Sequence, residues 1–184
     1  ERAIEAREHL LVDAPTGCGK SISYLVPAIE CAVAQGKRVV VVTANIALQE
    51  QIVDKDLPTI RRILPTPFSF AIAKGRANYL CLAAFEEAQR EVAIKGAAKA
   101  LGPGADRWGE AEGWAMSTER GDVSELDFDL GPLRRHLTVS AEECVGPHCP
   151  RREECHSERA KKLYWSSQVI VTNYAMFYLD IALR

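Results

Sequence analysis

The sequence predicts an α/β fold, a doubly wound parallel sheet interrupted by a mostly helical insertion at residues 74–163. Three observations lead to it. Within the first 73 residues, short apolar or β-branched runs alternate with stretches of helical periodicity. A glycine-rich turn, "APTGCGKS", stands between the first run and the first helix. After a long polar stretch with three closely spaced cysteines, "SQVIVTN" at 167–173 returns to the composition of a buried strand. The chain therefore divides into a first part of the sheet domain (1–73), the insertion (74–163) and a return to the sheet (164–184).

In chain order, "HLLVDA" at 9–14 reads as a buried strand ending in small residues. From Lys20 to Gln35 apolar side chains recur at Ile22, Leu25, Val26, Ile29 and Val33, which is helical spacing. Gly36 is the expected stop, and Pro27 removes one backbone bond within the helix, so a local kink is expected there. "RVVVVT" at 38–43 is a continuous β-branched run, the pattern of a parallel strand covered on both faces. Asn45 is the expected N-cap of a further helix, with "LPTIRRILP" continuing helically to Pro65. "FSFAIA" at 68–73 is the next strand. In the insertion, "NYLCLAAFEEAQREVAI" at 78–94 is helical and "KGAAKALGPG" reads as a flexible link. Residues 104–143 hold ten Asp or Glu against four Arg, without strand alternation, and the acidic stretch from Asp106 to Asp129 is expected to face solvent, away from any phosphate. Rich in glycine and polar residues, the insertion is expected to have little core of its own.

Nearly half of the 184 residues (47%) are apolar, enough for a sizeable core, and the formal net charge is −2. The chain as a whole is not a basic nucleic-acid binder, although a local groove can be positive on an acidic protein. No apolar run is long enough to span a bilayer and none has the form of a signal peptide, so a cytoplasmic location away from membranes is expected. There the six cysteines stay reduced, which argues against a disulfide framework. The chain begins at Glu1 and stops at Arg184 inside an apolar run, the pattern expected of a piece of something longer.

"APTGCGKS" is a phosphate loop from its sixth position onward, with Gly19, Lys20 and Ser21; Ala14 replaces the opening glycine. Gly17 and Gly19 let successive backbone N–H groups turn toward an anion, and the following helix adds the positive end of its dipole. Lys20 supplies a point charge for the β and γ phosphates of ATP, and Ser21 a hydroxyl for Mg²⁺. Ala14, Pro15, Thr16 and Cys18 complete the loop, Thr16 shaping it and Cys18 filling a variable position.

"CVGPHCPRREEC" places Cys144, Cys149 and Cys155 among prolines, charges and one histidine, a composition that serves metal ligation better than packing. His148 and His156 lie close enough in sequence to serve zinc instead, which would make this an interaction module on a phosphate-loop ATPase.

The phrases "VDAPTGCGKSISYLVPAI", "VVVVTANIALQEQI", "KGRANYLC", "CVGPHCPRREEC" and "VIVTNYAMF" occur in the order found in DinG-type helicases. The chain resembles the DinG and YoaA branch of these bacterial relatives of the XPD group of iron–sulfur superfamily 2 helicases. The resemblance implies a RecA-like first motor domain that binds ATP and Mg²⁺ through the loop above. It also implies a [4Fe–4S] cluster in the insertion, held by Cys81, Cys144, Cys149 and Cys155. Cys18 and Cys31 belong to the phosphate loop and its helix, and Cys81 stands at the start of the insertion, so the cluster would tie its two ends together. Arg151 and Arg152 would partly offset the cluster's charge. Thr43, Asn45 and Gln49 match the motif that touches a single strand, and Arg76 and Tyr79 in "KGRANYLC" add a cation beside an aromatic. Arg159, Lys161 and Lys162 beside Tyr164 and Trp165 form a second such patch. The family activity is ATP-driven 5′ to 3′ unwinding, with single-stranded, forked or R-loop DNA as partner, in DNA repair or in a plasmid- or CRISPR-associated setting. The family's DEAH carboxylates, second motor domain and arch have no counterpart in these 184 residues, so this stretch alone is expected to bind nucleotide without completing hydrolysis.

Overall fold

A computed structural model of the chain describes residues 1–15 and 17–182. It forms two compact units, one of residues 1–74 and 162–184 and the other of residues 75–161. The first unit begins with α1 (Arg2–Ala6) and α2 (Lys20–Ala34), followed by β1 (Val39–Thr43). Next come α3 (Ile46–Gln51), a π-helical turn (Ile52–Asp56), α4 (Leu57–Ile63) and β2 (Phe70–Ile72). The second unit holds α5 (Leu82–Lys95), α6 (Ala97–Leu101), α7 (Trp108–Ser117) and α8 (Arg134–Leu137). Then follow α9 (His156–Ser166), β3 (Val169–Asn173) and α10 (Tyr174–Ala182).

The sheet is parallel, in the order β1-β3-β2, with Val41 and Ile72 both in register with Val171. Its side chains alternate. Val41, Val169 and Val171 pack against Leu25 and Ile29 of α2, Ile52, and Leu57 and Ile60 of α4. The opposite face carries α10 and an open groove lined by Val40, Ile170, Trp165, Met176 and Phe177. This parallel sheet with helices fits an α/β RecA-like fold. α2 runs unbroken through Pro27 and ends where the N–H of Gly36 reaches Val33 and that of Lys37 reaches Ala32. That double bond is a Schellman closure, and Gly36 takes the positive φ of 60° it requires. Asn45 caps α3, its side chain accepting from the N–H of Leu48 at 3.0 Å.

The expected strand at 9–14 does not form. Leu10, Leu11 and Val12 are 72%, 97% and 66% exposed. A strand of that composition needs a paired neighbour and cover on both faces, and here β1 and β2 have their inner edges on β3 while the segment joins neither outer edge.

The second unit corrects two expectations. "KGAAKALGPG" is not merely a link, because it contains α6, whose Leu101 is fully buried. The insertion also has a core of its own, built from Leu80, Phe85, Leu101, Trp108, Leu130, Leu133 and Leu137. The acidic stretch contributes to it. Trp108, Ala111 and Ala115 lie at i, i+3 and i+7 on the buried face of α7, while Glu110 stays outside with Arg107. The rings of Phe85 and Trp108 meet at 6.0 Å and 39°, a tilted aromatic pair. By contrast, no residue from 139 to 155 is buried.

A tight corner closes this unit. Glu125 accepts hydrogen bonds from Trp114 Nε1 (2.9 Å), Arg120 Nε (2.8 Å) and the Thr118 hydroxyl. The Thr118 hydroxyl in turn accepts from the N–H of Gly121 at 2.7 Å. The carbonyl of Gly121 accepts from Leu80 N–H at 2.7 Å. Gly121 has φ of 64°, and a Cβ there would sit 2.4 Å from Cγ of the buried His156 ring. Gly121→Ala is therefore expected to cost the protein about 2 kcal/mol or more, through both the left-handed backbone and the clash. Chemical denaturation with tryptophan fluorescence checks this; a loss within about 0.5 kcal/mol contradicts it.

Burial pushes the Glu125 carboxyl up, but its donors Thr118, Arg120 and Trp114 outweigh that and hold it below the ordinary carboxylate range. A carboxylate depressed on folding stabilises the protein above its unfolded pKa, and this contribution fades as pH falls through the folded value. Glu125→Gln is thus expected to weaken the protein near neutrality and to flatten its loss of stability below about pH 4.3, the ordinary glutamate value. Thermal melts across that range read the difference.

Candidate functional site

The structure holds two candidate sites, one in each unit. In the first, the phosphate loop leads into α2. Gly17 and Gly19 have φ of 82° and 80°, conformations that L side chains rarely adopt, and Gly19 is the N-cap of the helix. Lys20 is the first residue of α2, and its Nζ donates to the carbonyls of Ala14 (2.6 Å) and Pro15 (3.0 Å). The lysine charge therefore rests on the loop's own carbonyls, beside the helix N-terminus and exposed to solvent. Ser21 follows it, half-buried, and Cys18 is exposed on the loop. Thr16 lies outside the described residues. The start of α2, Lys20 and Ser21 are adjacent here, and a helix N-terminus with a lysine and a hydroxyl is chemically suited to phosphate.

At the C-terminal ends of β1 and β3 a polar network uses the residues expected to touch a DNA strand. Thr43 is buried and its hydroxyl donates to Asn45 O (2.8 Å) and Thr172 O (3.3 Å). Gln49 is fully buried, its amide donating to Ala73 O at 3.2 Å. Thr172 donates to the same carbonyl. Asn45 is exposed, but its side-chain oxygen is engaged in capping α3. Of these three side chains, Asn45 is exposed, while Thr43 and Gln49 are buried and bonded to backbone carbonyls. Backbone carbonyls at strand ends lack ladder partners, and the short polar side chains satisfy them. Lys74, buried at the end of this unit, pairs with Glu50 at 2.8 Å.

In the second unit Cys81, Cys144, Cys149 and Cys155 all line one cavity, of about 30 Å³. Cys81 is the N-cap of α5, and its own N–H donates to Leu137 O at 2.7 Å. Burial raises the Cys81 thiol above its ordinary pKa; the N–H groups of Ala84 and Ala83 pull it down, and Cys149 and Cys155 raise it further. Cys144 accepts from Gly146 N–H at 3.4 Å, and Cys155 Sγ lies 3.2 Å from the Ser157 hydroxyl. Among the described residues, no three His, Cys, Asp or Glu side chains form a ready ligand set for one metal ion. His156 is engaged elsewhere: burial and then Arg159 lower its pKa, its Nδ1 lies 2.8 Å from the Arg159 guanidinium, and it bonds the backbone of Glu119 and Arg120.

Arg76 and Tyr79 also line this cavity. Tyr79 is 5% exposed and so presents no open ring for a base, and Arg76 is tied to Ser157 (2.9 Å) and Glu158 (2.7 Å). Tyr79 is packed into the unit, and the Arg76 side chain stays partly exposed. Ser157 and Glu158 escape sequence reasoning, because only the tertiary fold brings them to an arginine 81 and 82 residues earlier.

Residues 1–63 match the DEAD/DEAH box helicase family model. Over 97% of its length the chain is 42% identical to the "ATP-dependent helicase DinG" of Mycobacterium tuberculosis, covering 29% of that protein. It is 33% identical over its whole length to the "ATP-dependent DNA helicase YoaA" of Haemophilus influenzae, covering 28%. It is also 33% identical over 97% of its length to the "3'-5' exonuclease DinG" of Bacillus subtilis, covering 19%. The chain thus spans less than a third of the length of these curated relatives. Across the part it spans, the chain is similar to the DinG and YoaA helicases.

Proposed function

We propose that this chain is the nucleotide-binding, cluster-bearing part of an ATP-dependent 5′ to 3′ DNA helicase of the DinG type. The observation that carries the reading is Lys20, folded back on the carbonyls of Ala14 and Pro15 at the N-terminus of α2. A nucleotide phosphate offers that ammonium a stronger, charged acceptor than two neutral carbonyls. Lys20 then swings onto the β and γ phosphates, the N–H groups around Gly17 and Gly19 hold the rest, and Ser21 supplies a hydroxyl to Mg²⁺. Single-stranded DNA is the proposed track, with forked and R-loop DNA as substrates; a relative named a DNA helicase supports DNA itself, and the exposed Lys161 and Lys162 on α9 supply cations for its phosphates.

Cys81, Cys144, Cys149 and Cys155 would hold a [4Fe–4S] cluster, which supplies a rigid cross-link and a one-electron redox centre. The donor set supports this over zinc. A tetrahedral zinc site with bonds of about 2.3 Å draws its sulfurs to within about 3.8 Å of one another. Here Cys81, Cys144, Cys149 and Cys155 line one cavity, and His156 Nδ1 lies 2.8 Å from the Arg159 guanidinium. A cluster, with one thiolate to each iron, spaces its ligands more widely.

Lys20→Ala is expected to weaken ATP binding at least tenfold while leaving the folded protein intact, because the side chain is exposed and its partners are loop carbonyls. Calorimetric titration with ATP and Mg²⁺ measures it; unchanged affinity would remove the nucleotide assignment. Cys81→Ser is expected to abolish iron and sulfide binding in protein prepared without air, whereas Cys18→Ser and Cys31→Ser retain both. Stoichiometric zinc in the native protein, or an intact cluster in Cys81→Ser, contradicts the cluster reading.

A further inference from the structure

Three arginines line the thiol cavity, and they are not equivalent. Arg151 is engaged by two carboxylates, Glu154 at 2.8 Å and Glu86 at 3.3 Å. Arg76 and Arg152 instead share one, Glu158, at 2.7 Å and 3.6 Å. Glu158 projects from the first turn of α9 and lines the cavity itself. Its two oxygens are divided, Oε1 to Arg76 and Oε2 to Arg152. The other arm of Arg76 donates to Ser157 Oγ at 2.9 Å, and that hydroxyl lies 3.2 Å from Cys155 Sγ. A continuous set of polar contacts therefore runs from a carboxylate through a guanidinium to one of the four sulfurs.

We propose that Glu158 is the positioning residue of this cavity: it brackets Arg76 and Arg152 at the cavity wall, where their charge offsets that of the four thiolates and sets the reduction potential of the bound cluster. The inference rests on the cluster reading above and deepens it. An arginine side chain without an anchor gains rotamer freedom and hydration by moving into water. With its carboxylate anchor only 18% exposed and its own side chain 24% exposed, Arg76 stays beside the sulfurs in a medium that screens its charge less than water does. The direction of the Glu158 carboxyl agrees: the Arg76 hydrogen bond, against some burial, holds it below the ordinary range. Reduction adds one negative charge to a cluster, so a guanidinium fixed nearby favours the reduced state.

A double-mutant cycle on the potential separates a bracket from an independent salt bridge. The protein is reconstituted with iron and sulfide without air and titrated potentiometrically, with cluster loss to an iron chelator followed in parallel. Arg76→Gln is expected to lower the midpoint potential and to speed loss of the cluster. In a Glu158→Gln background the same Arg76→Gln change is expected to shift the potential by less than half as much, because the arginine is already released. If Glu158→Gln does not fold, Glu158→Asp keeps the charge on a shorter arm and is expected to give intermediate coupling. Equal shifts in both backgrounds, or no shift from Arg76→Gln in either, overturn the bracket while leaving the cluster assignment standing. Native protein that takes up no iron and sulfide overturns both.

Discussion

The position of Cys81 is the constraint on which the second unit depends. Its N–H is bonded to Leu137, at the end of α8, and Leu80 beside it is buried and bonded to Gly121. Cys81 then opens α5, whose Phe85 and Ala88 enter the core. One sulfur is therefore presented by a packed helical platform, held by backbone bonds on the same residue and its neighbour. The other three sit between residues 139 and 155, where nothing is buried and Val145 is 59% exposed. The unit is asymmetric: a packed core carries one sulfur, and an arm that buries none of its residues carries the other three; in the proposed reading, ligation supplies what that arm lacks in packing.

In the first unit the corresponding constraint is electrostatic. Successive positive-φ glycines and the start of α2 aim partial positive charge at one place, and Lys20 adds a full one. Without an anion these groups have only loop carbonyls to turn to, and Lys20 takes them. The same side chain that holds the loop closed is the one a phosphate would recruit, so binding exchanges one set of partners for a stronger one rather than creating a site from nothing.

Much of this was legible in the sequence, and the failures have physical causes. The β-branched runs that became β1 and β3, the cap at Asn45 and the glycine stop at Gly36 rest on local rules, and local rules suffice there. The strand expected at 9–14 depends on a neighbour, which composition does not encode, and Leu11 is left exposed. The buried face of α7 was hidden because two of its three core residues are alanines in an acidic stretch. α6 was hidden between Gly96 and Gly102. The burial of Thr43, Gln49 and Tyr79 is set by tertiary contacts that residue type alone does not reveal.

The division of labour within the second unit is the central claim, and amide hydrogen exchange on metal-free and iron–sulfide-loaded protein tests it most directly. The account predicts that α5, α7 and α8 keep the same protection in both states, and that residues 139–155 become protected only when loaded. Collapse of protection in α5 on removing the metal, or equal protection of 139–155 in both states, would contradict it.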